Sequence, residues 1–172
     1  KGRRIPVTGG SDYHRDYFVT SLLASPTSRV WADCNDKDSI LEAIRQGKTV
    51  ITKGPDTTML EFDCDGYQVG DEVILDGEKT VKIKASRLRK GHILQVYDQT
   101  GMVFEYKNKK TGDYTYSLTV KGKGFVRAQV VYEKNFLEKF LHKLVLGRLS
   151  KEEAKKEIPP LIYAVTNPIY FV

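Results

Sequence analysis

A carboxylate and an imidazole stand two residues apart in Gly9-Gly10-Ser11-Asp12-Tyr13-His14. In an extended chain such residues project from the same side with Cα atoms about 6.5 Å apart. Asp12 and His14 can therefore converge on one metal ion, or on neighbouring ones. The glycines before them permit a tight exit and close backbone approach. A divalent metal held there would polarise a phosphoryl oxygen and lower the pKa of a bound water, giving a hydroxide nucleophile at neutral pH. An Asp after a Ser is also a turn former or helix cap, and two ligands fall short of the three that a catalytic zinc takes from its protein. The rest of the chain does not obviously supply more. His92 opens a strand and His142 lies in a helix, each expected as a surface or interfacial histidine. Arg15, next to His14, can hold a substrate phosphate or be solvated, and Asp16 follows it. No Gly-x-Ser-x-Gly, P-loop or dinucleotide fingerprint is present. Cys34 and Cys64 have neither metal-ligand spacing nor an evident catalytic partner, and either pair once or stay as buried thiols.

The elements that must position these groups are bounded by composition. The chain has 172 residues, 28 Lys and Arg against 22 Asp and Glu, a net charge of +6 and 40% hydrophobic residues. That excludes a disordered or collagen-like chain, and no stretch nears the roughly 20 apolar residues of a membrane span. No apolar signal core follows the basic start, which leans toward the cytoplasm without assigning a compartment. The densest basic stretch, 107–123, holds Lys107, Lys109, Lys110, Lys121 and Lys123 against Asp113. Its opening pattern, 107–113, reads as a solvated hairpin turn, with no nucleic-acid motif beside it; neither a nucleic-acid nor a membrane partner is expected.

Residues 1–55 read as strand, loop, helix, strand. The run 5–8 is short and apolar. Over 36–46 Ile40, Leu41 and Ile44 share a helical face, with Asp38 as cap and Gly47 as stop. Residues 49–52 are β-branched. From 58 to 132 short strands alternate with glycine turns: 59–63, 73–75, 81–85, 92–97, 102–106, 114–120 and 125–132. Val81, Ile83 and Ala85 against Lys82 and Lys84 show the period of a half-buried strand. Tyr97, Tyr106, Tyr114 and Tyr116 line either the sheet core or a binding face. Residues 133–158 switch to helical spacing through Phe136, Leu137, Phe140, Leu141, Leu144 and Val145, with a capping box, Ser150 to Glu153, opening a second short helix. This apolar stripe is expected to pack on the parent domain. A last strand, 161–172, carries Pro168 at an edge or bulge. The expected class is mainly β: an antiparallel sandwich of immunoglobulin type.

The Gly-Gly-Ser-Asp12-Tyr-His14 run resembles the last metal-binding motif of the polymerase-and-histidinol-phosphatase (PHP) superfamily. Further segments are similar to a branch in which a distorted barrel precedes a C-terminal β-sandwich: Thr20 a short loop after the motif; Ile40-Leu-Glu-Ala-Ile-Arg45-Gln-Gly47-Lys-Thr-Val; Lys53-Gly54-Pro55; Asp65-Gly66 with Val69-Gly70-Asp71; Phe125-Val-Arg127-Ala; and Ala164-Val-Thr-Asn167-Pro168-Ile-Tyr170. The helical insertion 133–158 departs from that pattern. The resemblance implies that residues 1–55 are the strand-helix-strand end of a PHP barrel and residues 56–172 its sandwich. It implies that Asp12 and His14 are ligands of a divalent metal (Zn, Mn or Fe), with the remaining donors on sequence upstream. The parent would then hydrolyse a phosphoester substrate with a metal-activated water. This chain alone would bind metal weakly or not at all and be inactive, and would self-associate through an apolar scar around Ile5, Val7 and Val50. The alternative is a non-catalytic β-sandwich that binds a ligand or protein partner.

Overall fold

The computed structural model describes residues 4–11, 24–149 and 158–172. The chain is mainly β, with 48% strand and 13% helix, in antiparallel sheets compatible with a β-sandwich. Its order is β1 (Thr27–Val30), α1 (Lys37–Gln46), β2 (Thr49–Thr52), β3 (Met59–Asp63), β4 (Glu72–Val73), β5 (Lys79–Leu88), β6 (His92–Asp98), β7 (Gly101–Lys107), β8 (Gly112–Val120), β9 (Gly124–Tyr132), α2 (Phe136–Leu149), β10 (Leu161–Thr166) and β11 (Ile169–Phe171). One sheet is β3-β5-β8. The other runs β1-β2-β10-β9, with β6 and then β7 on the far side of β9, and the short β11 and β4 continuing from one end of β9. The β4–β11 pair alone among these is parallel.

Alternation builds the core as expected. Val81, Ile83 and Ala85 of β5 are fully buried, as are Leu94 and Val96 of β6 and Ala128 and Val130 of β9. They join Leu60, Phe62 and Val50 in a single apolar cluster shared by both sheets. Burying one such side chain contributes about 1.5–3 kcal/mol. Val50 is thus part of the sandwich core and not of an exposed scar, because β2 pairs directly with β10. Ile5 and Val7 do remain exposed.

Between β7 and β8 the rings of Phe104 and Tyr116 stack at 3.7 Å, and those of Tyr106 and Tyr114 at 3.8 Å. Three of these aromatics also pack on the core cluster. They close the edge of the sandwich where the chain passes from one sheet to the other. β7 pairs with β6 and β8 with β5, so residues 108–111 cross between sheets and do not form the expected hairpin. Buried Asn108 holds that crossing, its Nδ2 donating to the carbonyls of Arg89 and Lys110.

Other expectations change in instructive ways. Asp36, not Asp38, caps α1, its Oδ1 accepting from the amides of Asp38 and Ser39 at 3.0 and 2.9 Å. Gly47 stops the helix in the left-handed region, as C-cap glycines do. The helical stripe is not buried: Phe136, Leu137, Phe140, Leu141 and Leu144 are 49–86% exposed. The described ties of α2 lie in its first turn, where Asn135 and Glu138 form a capping box and Tyr132 donates to Glu138. The second helix expected after Ser150 lies outside the described residues.

The final strand is broken in two. Pro168 has no N–H to offer, and β10 and β11 lie end to end on β9 with Asn167-Pro168 between them. At the break the Thr166 hydroxyl accepts from the Ala128 amide at 3.0 Å. The neighbouring Asn167 side chain is left to serve another segment. Its Oδ1 accepts from the Val7 amide (2.9 Å) and its Nδ2 donates to the Val7 carbonyl (3.0 Å), where the Thr49 hydroxyl also donates. Two residues on, the Ser28 hydroxyl accepts from the Gly9 amide and donates to the Gly9 carbonyl, both at 2.8 Å. Residues 5–8 are therefore not the expected strand; side chains supply the partners a neighbouring strand would have supplied.

Asn167→Ala removes both contacts at Val7. We expect a loss of about 2 kcal/mol in urea unfolding, together with faster amide exchange at Val7 and Gly9. Unchanged exchange there would show that the segment is held by something else.

Candidate functional site

The end of β2 runs into a turn, Lys53 to Thr57, that is tied to itself. The Gly54 carbonyl accepts from the hydroxyls of Thr52 (2.9 Å) and Thr57 (2.8 Å), and the Gly54 amide donates to Thr57 Oγ1. Beside this turn lie the end of β5, the start of β6 and Tyr163 of β10. They enclose a cleft of about 500 Å³ lined by Lys53, Asp56, Thr57, Thr58, Arg87, Arg89, His92 and Tyr163, with Ala24 and Ser25 on the rim.

A bulge aims one of these side chains. The pairing of β5 with β8 shifts between Ala85 and Leu88, and Arg87 takes φ +56°. That conformation costs a non-glycine residue roughly 1–2 kcal/mol and is characteristic of functional sites. Both backbone groups of Arg87 are engaged: its amide donates to Asp113 Oδ1 at 2.9 Å and its carbonyl accepts from Thr58 Oγ1 at 3.1 Å. Ala24, also on the cleft, has the same φ; Asp65, in a turn, is the remaining non-glycine with positive φ among the described residues.

His92 is 2% exposed. Its Nδ1 lies 3.1 Å from Thr58 Oγ1 and 3.3 Å from the Arg89 amide nitrogen. Its ring sits 4.2 Å from that of Tyr163. Burial, then the positive Arg89 and Lys53, hold the imidazole pKa below its usual 6.5. Lys53 Nζ lies 4.5 Å above the Tyr163 ring. Arg87 Nη1 is 3.6 Å from Asp56 Oδ1, whose side chain is almost fully in water, so that pair contributes little. Three cations thus face one solvated carboxylate, an environment suited to an anion. A second cleft, lined by Arg4, Arg45, Asp71, Glu72 and Tyr170, differs in that its charges are matched: Arg4 pairs with Glu72 and Lys48 with Asp71.

Asp12 and His14 lie outside the described residues, as do Arg15, Asp16 and Thr20. The described segment before them has a direction. Val7 meets Thr49, and Gly9 lies against Ile51 and Pro26, where a β-carbon would come within 2.7 Å of Ile51 Cγ2. Residues 7–9 therefore advance along β2 toward its Lys53 end, where the cleft opens. Among the described residues no group of three or more His, Cys, Asp or Glu could hold a metal ion. Cys34 and Cys64 are both free.

Sequence reasoning passed over Lys53, Arg87 and Arg89, and it put His92 on a surface or interface; the ring is buried against the cleft. A signal existed: the alternation of β5 fails at Ser86-Arg87, and Arg87, Arg89 and Lys90 crowd its end. No family model, curated protein or solved structure matches the chain.

The depressed His92 pKa fixes a sign. The unfolded chain takes up this proton near the ordinary imidazole value and the folded chain only at lower pH. Stability is therefore full above neutrality and falls as pH drops between those two values. His92→Gln is expected to lose less melting temperature than the wild type between about pH 7.5 and about pH 5.5. Equal losses would remove His92 as the source.

Proposed function

We propose that the chain is the C-terminal part of a metal-dependent phosphoesterase of the PHP kind, with Asp12 and His14 among its metal ligands. The observation that carries this reading is the course of residues 7–9, which lead along β2 to a cleft lined by Lys53, Arg87 and Arg89. A phosphoester brought there would meet the cations of the sandwich. When bound, the metal would supply an activated water for attack on phosphorus. The described residues do not by themselves fit a metal, and two donors are too few; the other ligands belong to sequence beyond this chain. The strand order β3-β5-β8 across from β7-β6-β9-β10 supports the immunoglobulin-like form of the sandwich.

Hydrolysis of p-nitrophenyl phosphate with added Mn²⁺ or Zn²⁺ tests the proposal. The chain alone is expected to stay at the metal blank. The polypeptide translated together with the sequence preceding Lys1 is expected to turn over, and to lose that turnover in Asp12→Ala and in His14→Ala. Robust metal-dependent turnover by the chain alone, or no effect of either substitution, would overturn it.

A second reading has its own support. The described residues gather cations in one cleft, which suits a non-catalytic β-sandwich that binds an anionic ligand. It predicts no hydrolysis by either polypeptide. Under the first reading the exposed Ile5 (74%) and Val7 (53%) also favour self-association through residues 4–11. Light scattering is expected to show a concentration-dependent dimer that Ile5→Ser with Val7→Ser abolishes; a clean monomer at high concentration would refute that contact.

A further inference from the structure

We propose that the cleft between the β2 turn and the β5 bulge is a metal-independent subsite for the phosphoryl group of a small phosphate monoester, clamped by Arg87 and Arg89 beside the His92 ring. The inference rests on the phosphoesterase reading for the choice of phosphate, and it moves part of substrate recognition from the metal centre onto the sandwich.

Four observations carry it. First, the charge is local and in excess: Lys53, Arg87 and Arg89 line one cleft, and among the described residues lining it the single carboxylate is Asp56, 95% exposed and 3.6 Å from Arg87. Among the described residues Arg89 forms no ion pair, whereas elsewhere Lys79 meets Asp65 and Asp76, and Lys121 meets Glu78. Second, arginine presents a planar fork that matches two phosphate oxygens at once. Third, Arg87 is held in a costly backbone conformation by bonds to both its amide and its carbonyl. A merely solvated arginine at the end of a strand gains nothing from such strain. Fourth, the buried His92 ring lines the same cleft, its Nδ1 3.1 Å from Thr58 Oγ1 and 3.3 Å from the Arg89 amide nitrogen, so an anion seated there lies beside an imidazole.

The same features select among anions. A cleft of about 500 Å³ suits a small molecule, whereas a nucleic-acid strand needs a long cationic track. A phosphate dianion balances more of the three positive charges than a carboxylate or a diester does.

Phenyl phosphate is the probe, titrated into the chain with EDTA present and followed by calorimetry and by amide and imidazole NMR. Saturable binding in the millimolar range or tighter is expected, and the His92 pKa is expected to rise as the anion lands beside it. Arg89→Ala should weaken binding about tenfold. Arg87→Gly should do the same without loss of melting temperature, because glycine accepts positive φ without strain. Lys123→Ala removes the same charge from a turn elsewhere and should change affinity by no more than about twofold. Absence of saturable binding overturns the subsite. So does an equal loss in Lys123→Ala, which marks unspecific attraction to a basic protein. An oligonucleotide that binds more tightly than phenyl phosphate through the same arginines also overturns it, in favour of a nucleic-acid surface. The two proposals separate cleanly: metal-dependent hydrolysis by the longer polypeptide without EDTA-resistant binding here defeats the subsite alone, and EDTA-resistant binding with no hydrolysis defeats the phosphoesterase reading alone.

Discussion

One side-chain amide joins the two ends of the described chain. Asn167 accepts from and donates to the backbone of Val7, 160 residues earlier, and donates to the Thr49 hydroxyl at 2.6 Å. It can do so because Pro168 interrupts the strand and leaves Asn167 in neither β10 nor β11. Each such bond contributes about 1 kcal/mol net, while ordering a residue costs about 1–2 kcal/mol of backbone entropy. The bonds at Val7, and those of Ser28 at Gly9, therefore offset the ordering of a few residues and no more. They set the register and heading of the segment; its hold on the sandwich is local.

The cleft has a different origin. Its cations come from separate elements, Lys53 after β2, Arg87 in the bulge of β5 and Arg89 in the loop before β6. Like charges gathered this way repel, and a stiff frame must hold them. The frame is the self-tied turn after Lys53 and the double engagement of the Arg87 backbone. The lowered His92 pKa follows first from the burial of the ring and then from the same crowding, with Arg89 and Lys53 disfavouring a further positive charge.

Much of the fold was legible because period-two alternation is a local signal. Residues 49–52, 59–63 and 92–97 fall on strands in the structure, and 36–46 on α1, because each buries one face against the core. The misreadings share a physical cause, which is that their outcome is decided by distant groups. Residues 5–8 have a strand's composition, but their partners are the side chains of Asn167, Thr49 and Ser28. Residues 107–113 have a hairpin's composition, yet buried Asn108 carries them between sheets. The stripe from Phe136 to Leu144 has the spacing of a packed helix, and spacing says nothing of whether a partner surface stands opposite. Pro168 reads from the sequence as an edge or bulge residue and Asn167 only as part of a resemblance; their joint mechanical role needs the structure. The cleft was invisible for the same reason, since it assembles strand ends that are separated by tens of residues.

The overall charge of +6 acquires meaning only through its distribution. Arg4, Arg45, Lys48, Lys79 and Lys121 each stand within 4 Å of a carboxylate, so these cations contribute little field at a distance. The surplus sits where carboxylates are scarce, and the cleft is one such place. A basic protein that bound polyanions through bulk charge would spread its unpaired cations along a surface. Exposed lysines such as Lys82 and Lys84 are spread in that way here, and Lys53, Arg87 and Arg89 in addition converge on one cleft with a buried imidazole at its side. The concentration of charge, more than its total, is what makes an anion-binding role physically reasonable for this sandwich.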